Sequence, residues 1–205
     1  MVKRSVLRHI RELARNVFTT HELCVISGKS SSGVTQALNF LEKEGIILKI
    51  YRGIWAEAGN KKLSPYAAIP FLLPRHRAYV SFISALHLHG LIEQIPQMIT
   101  LATTAHTKTI RTKIGTYCFH QIHPLLFDGF GWYKGTGSFL IAEPEKALVD
   151  SLYLSTRKKR QFGYFPELYF PKSFKFKKAE KWVEKIQEKR IRIAVERKLK
   201  LLRNR

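Results

Sequence analysis

Residues 19–58 contain, in a fixed order, two apolar segments that each end at a glycine and two segments rich in β-forming residues. Thr19 and Glu22 have the spacing of a capping box, in which the hydroxyl accepts a first-turn N–H and the carboxylate accepts the N–H of the cap residue. The spacing predicts a short helix through Leu23, Val25 and Ile26. We expect it to end at Gly28, because a glycine adopts the left-handed conformation of a helix end at little cost.

A second, longer helix is predicted to follow. Ser30 or Ser31 can cap it, and Gly45 lies at a position suited to its C-terminal end. Its apolar residues recur at the spacing of a single helix face: Val34, Ala37, Leu38 and Leu41. This spacing predicts which side of the helix packs against the protein core.

Two short β-strands are predicted after the second helix. Residues 46–51 and 54–58 are apolar β-formers on either side of Arg52 and Gly53, which are predicted to form a two-residue hairpin turn. Upstream, an amphipathic helix is predicted from the apolar residues Val6, Leu7, Ile10, Leu13 and Val17. Helix, turn, helix and hairpin in this order are typical of a winged helix-turn-helix, which binds DNA.

The outward face of the second predicted helix carries hydroxyl and amide side chains, those of Ser31, Ser32, Thr35, Gln36 and Asn39. Gln and Asn can bridge N6 and N7 of adenine in the major groove, and hydroxyls near a helix N-terminus can bind phosphate. The basic residues placed to contact the flanking backbone are Lys29, Lys43, Lys49 and Arg52. The sequence therefore predicts a DNA-binding site. The alternative is that these polar groups only cap and solvate a surface helix.

The chain carries a formal net charge of +21, which indicates a polyanionic partner such as DNA, RNA or an acidic protein. Residues 155–205 hold 18 Lys and Arg against 5 acidic residues. The candidate polyanion contacts in this segment are Arg157, Lys158, Lys159 and Arg160. A last helix from Lys178 is predicted to place one apolar stripe inward: Trp182, Val183, Ile186, Ile193 and Ala194. Covering the core is therefore the alternative role of the basic segment.

The two cysteines, Cys24 and Cys118, are too few for a disulfide framework or a zinc set. No apolar segment reaches the length of a membrane span, and charged residues interrupt the N-terminal segment where a secretion signal needs an apolar core. We therefore expect a cytoplasmic protein with no cofactor, no metal and no membrane partner.

The second part of the chain is predicted to be a separate domain. The polar, turn-like residues 59–62 place a boundary near residue 62, which gives one domain at 1–62 and another at 63–205. The second domain is predicted to contain a buried helix at 81–91, a further helix from Pro144, and a small sheet with strands at 98–102, 116–122, 130–133 and 138–142. The predicted fold class is α+β.

The winged-helix segment is followed by SALHLHGL at 84–91, EPEKALVDSLY at 143–153 and FPELYFP at 165–171, ahead of a basic terminal helix. In these segments, and in their order over nearly its whole length, the sequence resembles the AbiEi-type antitoxins of bacterial type IV toxin–antitoxin systems. The resemblance implies an N-terminal domain that represses its own operon and a C-terminal domain that counters a nucleotidyltransferase-like toxin. The positions that it marks as DNA contacts are Ser31, Ser32, Thr35, Gln36, Asn39 and Arg52.

Several alternatives stay open at this point. The basic tail suits DNA flanking the operator, tRNA or an acidic toxin surface, and either a monomer or a dimer could bind the operator. An RNA-binding protein and a metal-dependent nucleic-acid-processing enzyme are the competing functions. The candidate metal ligands of such an enzyme are Asp128, Glu143, Glu145 and Asp150, although no Glu-x-Lys spacing accompanies them. We therefore expect a non-catalytic repressor and antitoxin.

Overall fold

The computed structural model describes residues 2–59, 63–135, 138–157 and 166–204, with side chains from residue 6 onward. The described chain is α+β, with eight α-helices and two β-sheets. It divides into two compact units, one comprising Met1–Pro74 with Arg111–Gly115 and the other Arg75–Ile110 with Thr116–Arg205. The predicted domain boundary near residue 62 falls on residues 60–62, outside the described part of the chain.

In its described residues, the first unit contains four α-helices and a three-stranded sheet whose last two strands form a hairpin. Its elements are α1 (Val2–Leu13), β1 (Val17–Thr19), α2 (Thr20–Ser27), α3 (Ser31–Lys43), β2 (Ile47–Tyr51), β3 (Ile54–Glu57), a 3-10 turn (Pro65–Ala68) and α4 (Ile69–Leu72). The three strands form an antiparallel sheet in the order β1-β3-β2. The predicted strands at 46–51 and 54–58 are confirmed to within one residue.

Local sequence signals fix the ends of α2 and α3. The N–H of Glu22 donates to the Thr19 hydroxyl at 3.1 Å and the N–H of Thr19 donates to the Glu22 carboxylate at 2.8 Å, which confirms the predicted capping box. Gly28 ends α2 in the left-handed region with φ of +64°. Of the two candidate caps for α3, the hydroxyl of Ser30 accepts the N–H of Gly33 at 3.3 Å.

The core of the first unit lies between its helices and its sheet. The buried members of the core are Val6, Ile10, Phe18, Leu23, Val34, Ala37, Leu38, Leu41, Ile47 and Trp55. The prediction that Val17 belongs to the first helix is wrong, since α1 ends at Leu13 and Val17 pairs with Ala56 in the sheet. Ala14 breaks the helix with φ of +47°, and the β-branched Val17 then suits the strand.

The second unit is built around a mixed sheet with the strand order β6-β7-β5-β4-β9-β8. The elements from Ala78 onward are β4 (Ala78–Val80), α5 (Phe82–Leu88), β5 (Ile99–Thr103), β6 (Lys108–Thr112), β7 (Gly115–Gln121), a 3-10 turn (Pro124–Leu126), β8 (Phe130–Trp132), β9 (Leu140–Ala142), α6 (Pro144–Ser155), α7 (Phe176–Glu184) and α8 (Lys189–Arg203). The end of β6 and the first residue of β7 fall within Arg111–Gly115, which belongs to the first unit. β4 runs antiparallel to β5 and parallel to β9, and β8 runs antiparallel to β9. The predictions missed β4 and β6.

The predicted last helix is in fact two helices. α7 ends at Glu184 and α8 begins at Lys189, so the inward-facing positions of α8 do not continue the periodicity of α7. The inward residues of α8 are Ile191, Val195 and Leu199. Ile193 is 36% exposed and Ala194 half-buried, so the prediction that both continue the inward stripe of Trp182 is wrong. None of the helices in the described residues is long and apolar enough to cross a membrane.

Candidate nucleic-acid interface

Helix α3 separates polar and apolar side chains onto opposite sides. Its buried residues are Val34, Ala37, Leu38 and Leu41, as predicted. With about 100° of rotation per residue, the predicted contact residues occupy an arc of about 140° centred roughly opposite this stripe. Ser31, Ser32, Gln36, Asn39 and Lys43 are exposed on that arc, and Thr35, on the same arc, is half-buried. The structure therefore brings six of the predicted contact residues onto one solvent-facing surface of one helix.

The N-terminal turn of α3 suits an anion. No acidic residue occurs in the first turn, and the hydroxyls of Ser30 and Ser32 lie 3.2 Å apart beside the cap. Because the free N–H groups and the dipole of a helix favour negative charge at its N-terminus, a phosphate can be held here with no opposing carboxylate.

The β2–β3 hairpin is attached directly to the start of α2. The N–H of Thr20 donates to the carbonyl of Gly53 at 2.9 Å, and the indole Nε1 of Trp55 donates to the Thr20 hydroxyl at 2.9 Å. Gly53 has φ of +69°, which the tight turn requires. Arg52 is exposed at this turn. The position of the Arg52 backbone is thus set by bonds to the start of α2 as well as by the hairpin.

Two of the predicted backbone contacts are more constrained. The ammonium of Lys49 lies over the ring of Trp55, 5.1 Å from its centroid, and the side chain is half-buried. Lys29 is also half-buried, directly before the Ser30 cap. Lys43 and Arg52 are the exposed members of this basic set, so they are the better placed to reach a phosphate.

One carboxylate on α3 is already neutralised within the first unit. Lys113 donates to Glu42 at 2.9 Å, and this hydrogen bond holds the pKa of Glu42 below its usual range. Neither residue was among the predicted site residues. No local signal in the sequence could have paired them, because they are far apart along the chain.

The second candidate contact is described only in part. Arg157 is exposed, and its guanidinium lies 5.3 Å from the ring centroid of Tyr153. Lys158, Lys159 and Arg160 lie outside the described residues. The structure therefore leaves the basic run at 157–160 as a prediction.

The four carboxylates of the enzyme alternative each face basic or donor groups. Asp128 lies 3.5 Å from Lys185 Nζ, and Glu143 lies 2.8 Å from Lys178 Nζ. Glu145 accepts the backbone N–H of Lys175 at 3.0 Å. Within the described part of the chain, no three His, Cys, Asp or Glu side chains come together as a potential metal site.

Asp150, the fourth carboxylate, lies in a buried polar cluster that the sequence did not predict. It accepts hydrogen bonds from Ser81 at 2.8 Å and Tyr79 at 3.0 Å, and it forms an ion pair with Lys146. Lys146 also donates to the Tyr79 hydroxyl at 2.9 Å, and its ammonium lies 5.4 Å from the Trp182 ring centroid. Burial lowers the pKa of Lys146 and raises the pKa of Tyr79 well above its usual value. This cluster links β4, α6 and α7 and is inaccessible to a substrate.

The chain has no match among models of known protein families, and a search of curated proteins likewise finds none.

Proposed function

We propose that the first unit is a winged helix-turn-helix that binds duplex DNA at a specific sequence. We further propose that the protein is a transcriptional repressor and antitoxin, which autoregulates its operon and counters a nucleotidyltransferase-like toxin. The observation that carries the DNA-binding proposal is the exposed polar face of α3, which lies opposite the buried stripe of the same helix.

The order of elements supports this assignment. α1, β1, α2, α3 and the β2–β3 hairpin follow one another as in a winged helix, with α3 in the position of the recognition helix and the hairpin as the wing. A recognition helix enters the major groove with its exposed face, and the amides of Gln36 and Asn39 then face base edges. The hydroxyls at the N-terminus of α3 and the exposed Arg52 suit the phosphate backbone.

The antitoxin part of the proposal rests on the AbiEi resemblance. Two of the resembling segments form α5 and α6, which pack against each other in the second unit. His89, at the end of α5, donates from Nε2 to the carbonyl of Ala142 at 2.8 Å, just before α6 begins. These two segments therefore have a packing role in the second unit.

DNA binding can be tested by titrating the purified protein with labelled duplex from upstream of its own gene and with a shuffled duplex of equal length. We expect tighter binding to the upstream duplex at physiological salt, because base contacts add to the backbone contacts that both duplexes share. Equal affinity for the two duplexes would remove the repressor proposal.

Antitoxin function needs a separate test in cells. Co-expression with a nucleotidyltransferase encoded next to the gene should restore growth if the proposal holds. Incubation with Mg²⁺ or Mn²⁺ and labelled DNA or RNA tests the enzyme alternative. Cleavage or extension of either nucleic acid would favour that alternative.

A further inference from the structure

The edge strand β8 presents an indole ring to solvent. Trp132 is 65% exposed, whereas Trp55 and Trp182 are 1% and 8% exposed. β8 lies at one end of the six-stranded sheet, so the described residues place only β9 beside it. Gly131, the residue before Trp132, has open space on the opposite face of the strand. Because Trp132 is largely exposed, its ring is accessible to another molecule.

Two exposed cations lie near β8. Phe130 lies on the same face of β8 as Trp132, about 7 Å away along the strand. The guanidinium of Arg77 lies 5.7 Å from the ring centroid of Phe130, and Arg77 is exposed. Lys134, two residues beyond Trp132, is exposed as well. Among the residues that the structure describes, no carboxylate lies within ion-pair distance of either cation.

The acidic residue nearest to β8 in sequence is already paired. Asp128 lies 3.5 Å from the ammonium of Lys185, which also lies 4.0 Å from the ring centroid of Trp182. The pairing leaves Arg77 and Lys134 as the uncompensated charges beside Trp132. We call the group formed by Trp132, Phe130, Arg77 and Lys134 the Trp132 edge.

We propose that the Trp132 edge binds single-stranded nucleic acid. An unpaired base stacks on the indole of Trp132, and the adjacent phosphates contact Arg77 and Lys134. Proteins that bind single strands combine an aromatic ring, on which a base stacks, with cations that follow the backbone, and the Trp132 edge supplies both.

Charge and geometry argue against two other occupants. A second copy of this chain carries a net charge of +21 and is repelled. Duplex DNA keeps its bases stacked inside the helix, so it has no free base to place on Trp132. The proposal is independent of the DNA-binding role of α3, because α3 belongs to the first unit and the Trp132 edge to the second.

The test uses the full-length protein with a 12-nucleotide oligouridine and a 12-nucleotide oligothymidine. Stacking on Trp132 should quench and shift the intrinsic fluorescence of the protein, since the other two tryptophans are buried. A fluorescein label on each oligomer gives the dissociation constants of the variants. Quenching by either oligomer supports the proposal, and the tighter of the two identifies RNA or DNA as the preferred strand.

The decisive variant is Trp132→Ala, which should weaken binding of the preferred oligomer roughly 5- to 150-fold. Trp132→Phe keeps an aromatic ring and should lose less affinity for the oligomer than Trp132→Ala. Tyr169→Ala is the matched control, because it removes another exposed ring of the second unit. Arg77→Gln should lower the log–log salt slope by about 0.7, the value for one single-strand phosphate contact.

Two results would overturn the proposal. One is an affinity of Trp132→Ala equal to that of the Tyr169→Ala control. The other is that a duplex binds more tightly than both single strands and that its binding also depends on Trp132. That result would mean that the ring contacts duplex. Gln36→Ala separates the two proposals, since it should leave oligomer binding unchanged whether or not α3 reads operator DNA.

Discussion

The indole of Trp55 donates a hydrogen bond of 2.9 Å to the hydroxyl of Thr20. Trp55 lies on β3 and is 1% exposed, and Thr20 is the first residue of α2. Together with the bond from the Thr20 N–H to Gly53, this contact attaches the hairpin to the helix that precedes α3. The exposed Arg52 between the two strands is therefore held in a defined position relative to α2.

Replacing Thr20 with Val should destabilise the first unit by about 1–3 kcal/mol, because it leaves the buried indole N–H of Trp55 without an acceptor. Thr20→Ser keeps the acceptor and should cost clearly less. Urea unfolding followed by circular dichroism measures both variants. If the Val and Ser variants lose the same free energy of unfolding, the hydrogen bond does not stabilise the attachment of the hairpin.

Replacing Gln36 or Asn39 with Ala should weaken binding to the specific duplex by about 1–3 kcal/mol for each substitution. Both side chains are exposed on α3, so neither change should alter stability appreciably. Fluorescence anisotropy with specific and shuffled duplexes measures the effect. An equal loss on both duplexes would contradict base readout by these amides.

Replacing Arg52 with Ala should weaken binding to all duplexes alike and reduce the log–log salt slope by about 0.9, because a phosphate contact carries no sequence information. Arg11→Ala is a matched control, since it removes another exposed arginine of the first unit from α1. A salt slope that falls equally in both variants would indicate an effect of net charge, with no particular contact at the hairpin.

Sequence reasoning succeeded where a local rule decides the structure. The capping box at Thr19 and Glu22 and the glycine at 28 depend on neighbouring residues alone, so the bounds of α2 were predictable. The exposed face of α3 followed from helical periodicity, because the apolar stripe leaves one side for polar residues.

Sequence reasoning failed where distant segments decide the structure. β4 has only three residues, and the break between α7 and α8 carries neither glycine nor proline to mark it. The spacing of Lys146 and Asp150 is typical of a solvated ion pair on a helix surface, yet both residues are buried. Hydrogen bonds with Tyr79 of β4 and with Ser81, the residue after β4, compensate for the lost solvation. The contact between Arg77 and Phe130 likewise depends on the sheet order.

Replacing Lys146 alone with Met should destabilise the protein by about 3–5 kcal/mol, because it leaves the Asp150 carboxylate buried without its cation. The double variant Lys146→Met with Asp150→Leu removes both charges and should be less destabilised than the sum of the two single changes. A double-mutant cycle from urea unfolding measures the coupling. Strict additivity would show that the buried pair contributes no interaction energy.

Replacing Tyr79 with Phe should destabilise the protein by about 1–2 kcal/mol near neutral pH, because the hydroxyl bonds both Asp150 and Lys146. The difference between the two proteins should shrink at high pH. Burial raises the pKa of Tyr79 in the folded protein, so above about pH 10 the unfolded chain loses this proton while the folded protein retains it. The wild type then binds more protons folded than unfolded, and its stability falls as the pH rises.

Urea unfolding of wild type and Tyr79→Phe between pH 7 and 11 tests this dependence. The stability difference should stay constant up to about pH 9 and then fall by up to about 1.4 kcal/mol for each further pH unit. The Phe variant lacks the titrating phenol, so subtracting its stability at each pH removes the effects of shared groups that do not contact Tyr79. A stability difference that stays flat to pH 11 would mean that the phenol ionises equally in the folded and unfolded chains. That outcome would contradict the buried bonding of Tyr79 to Asp150.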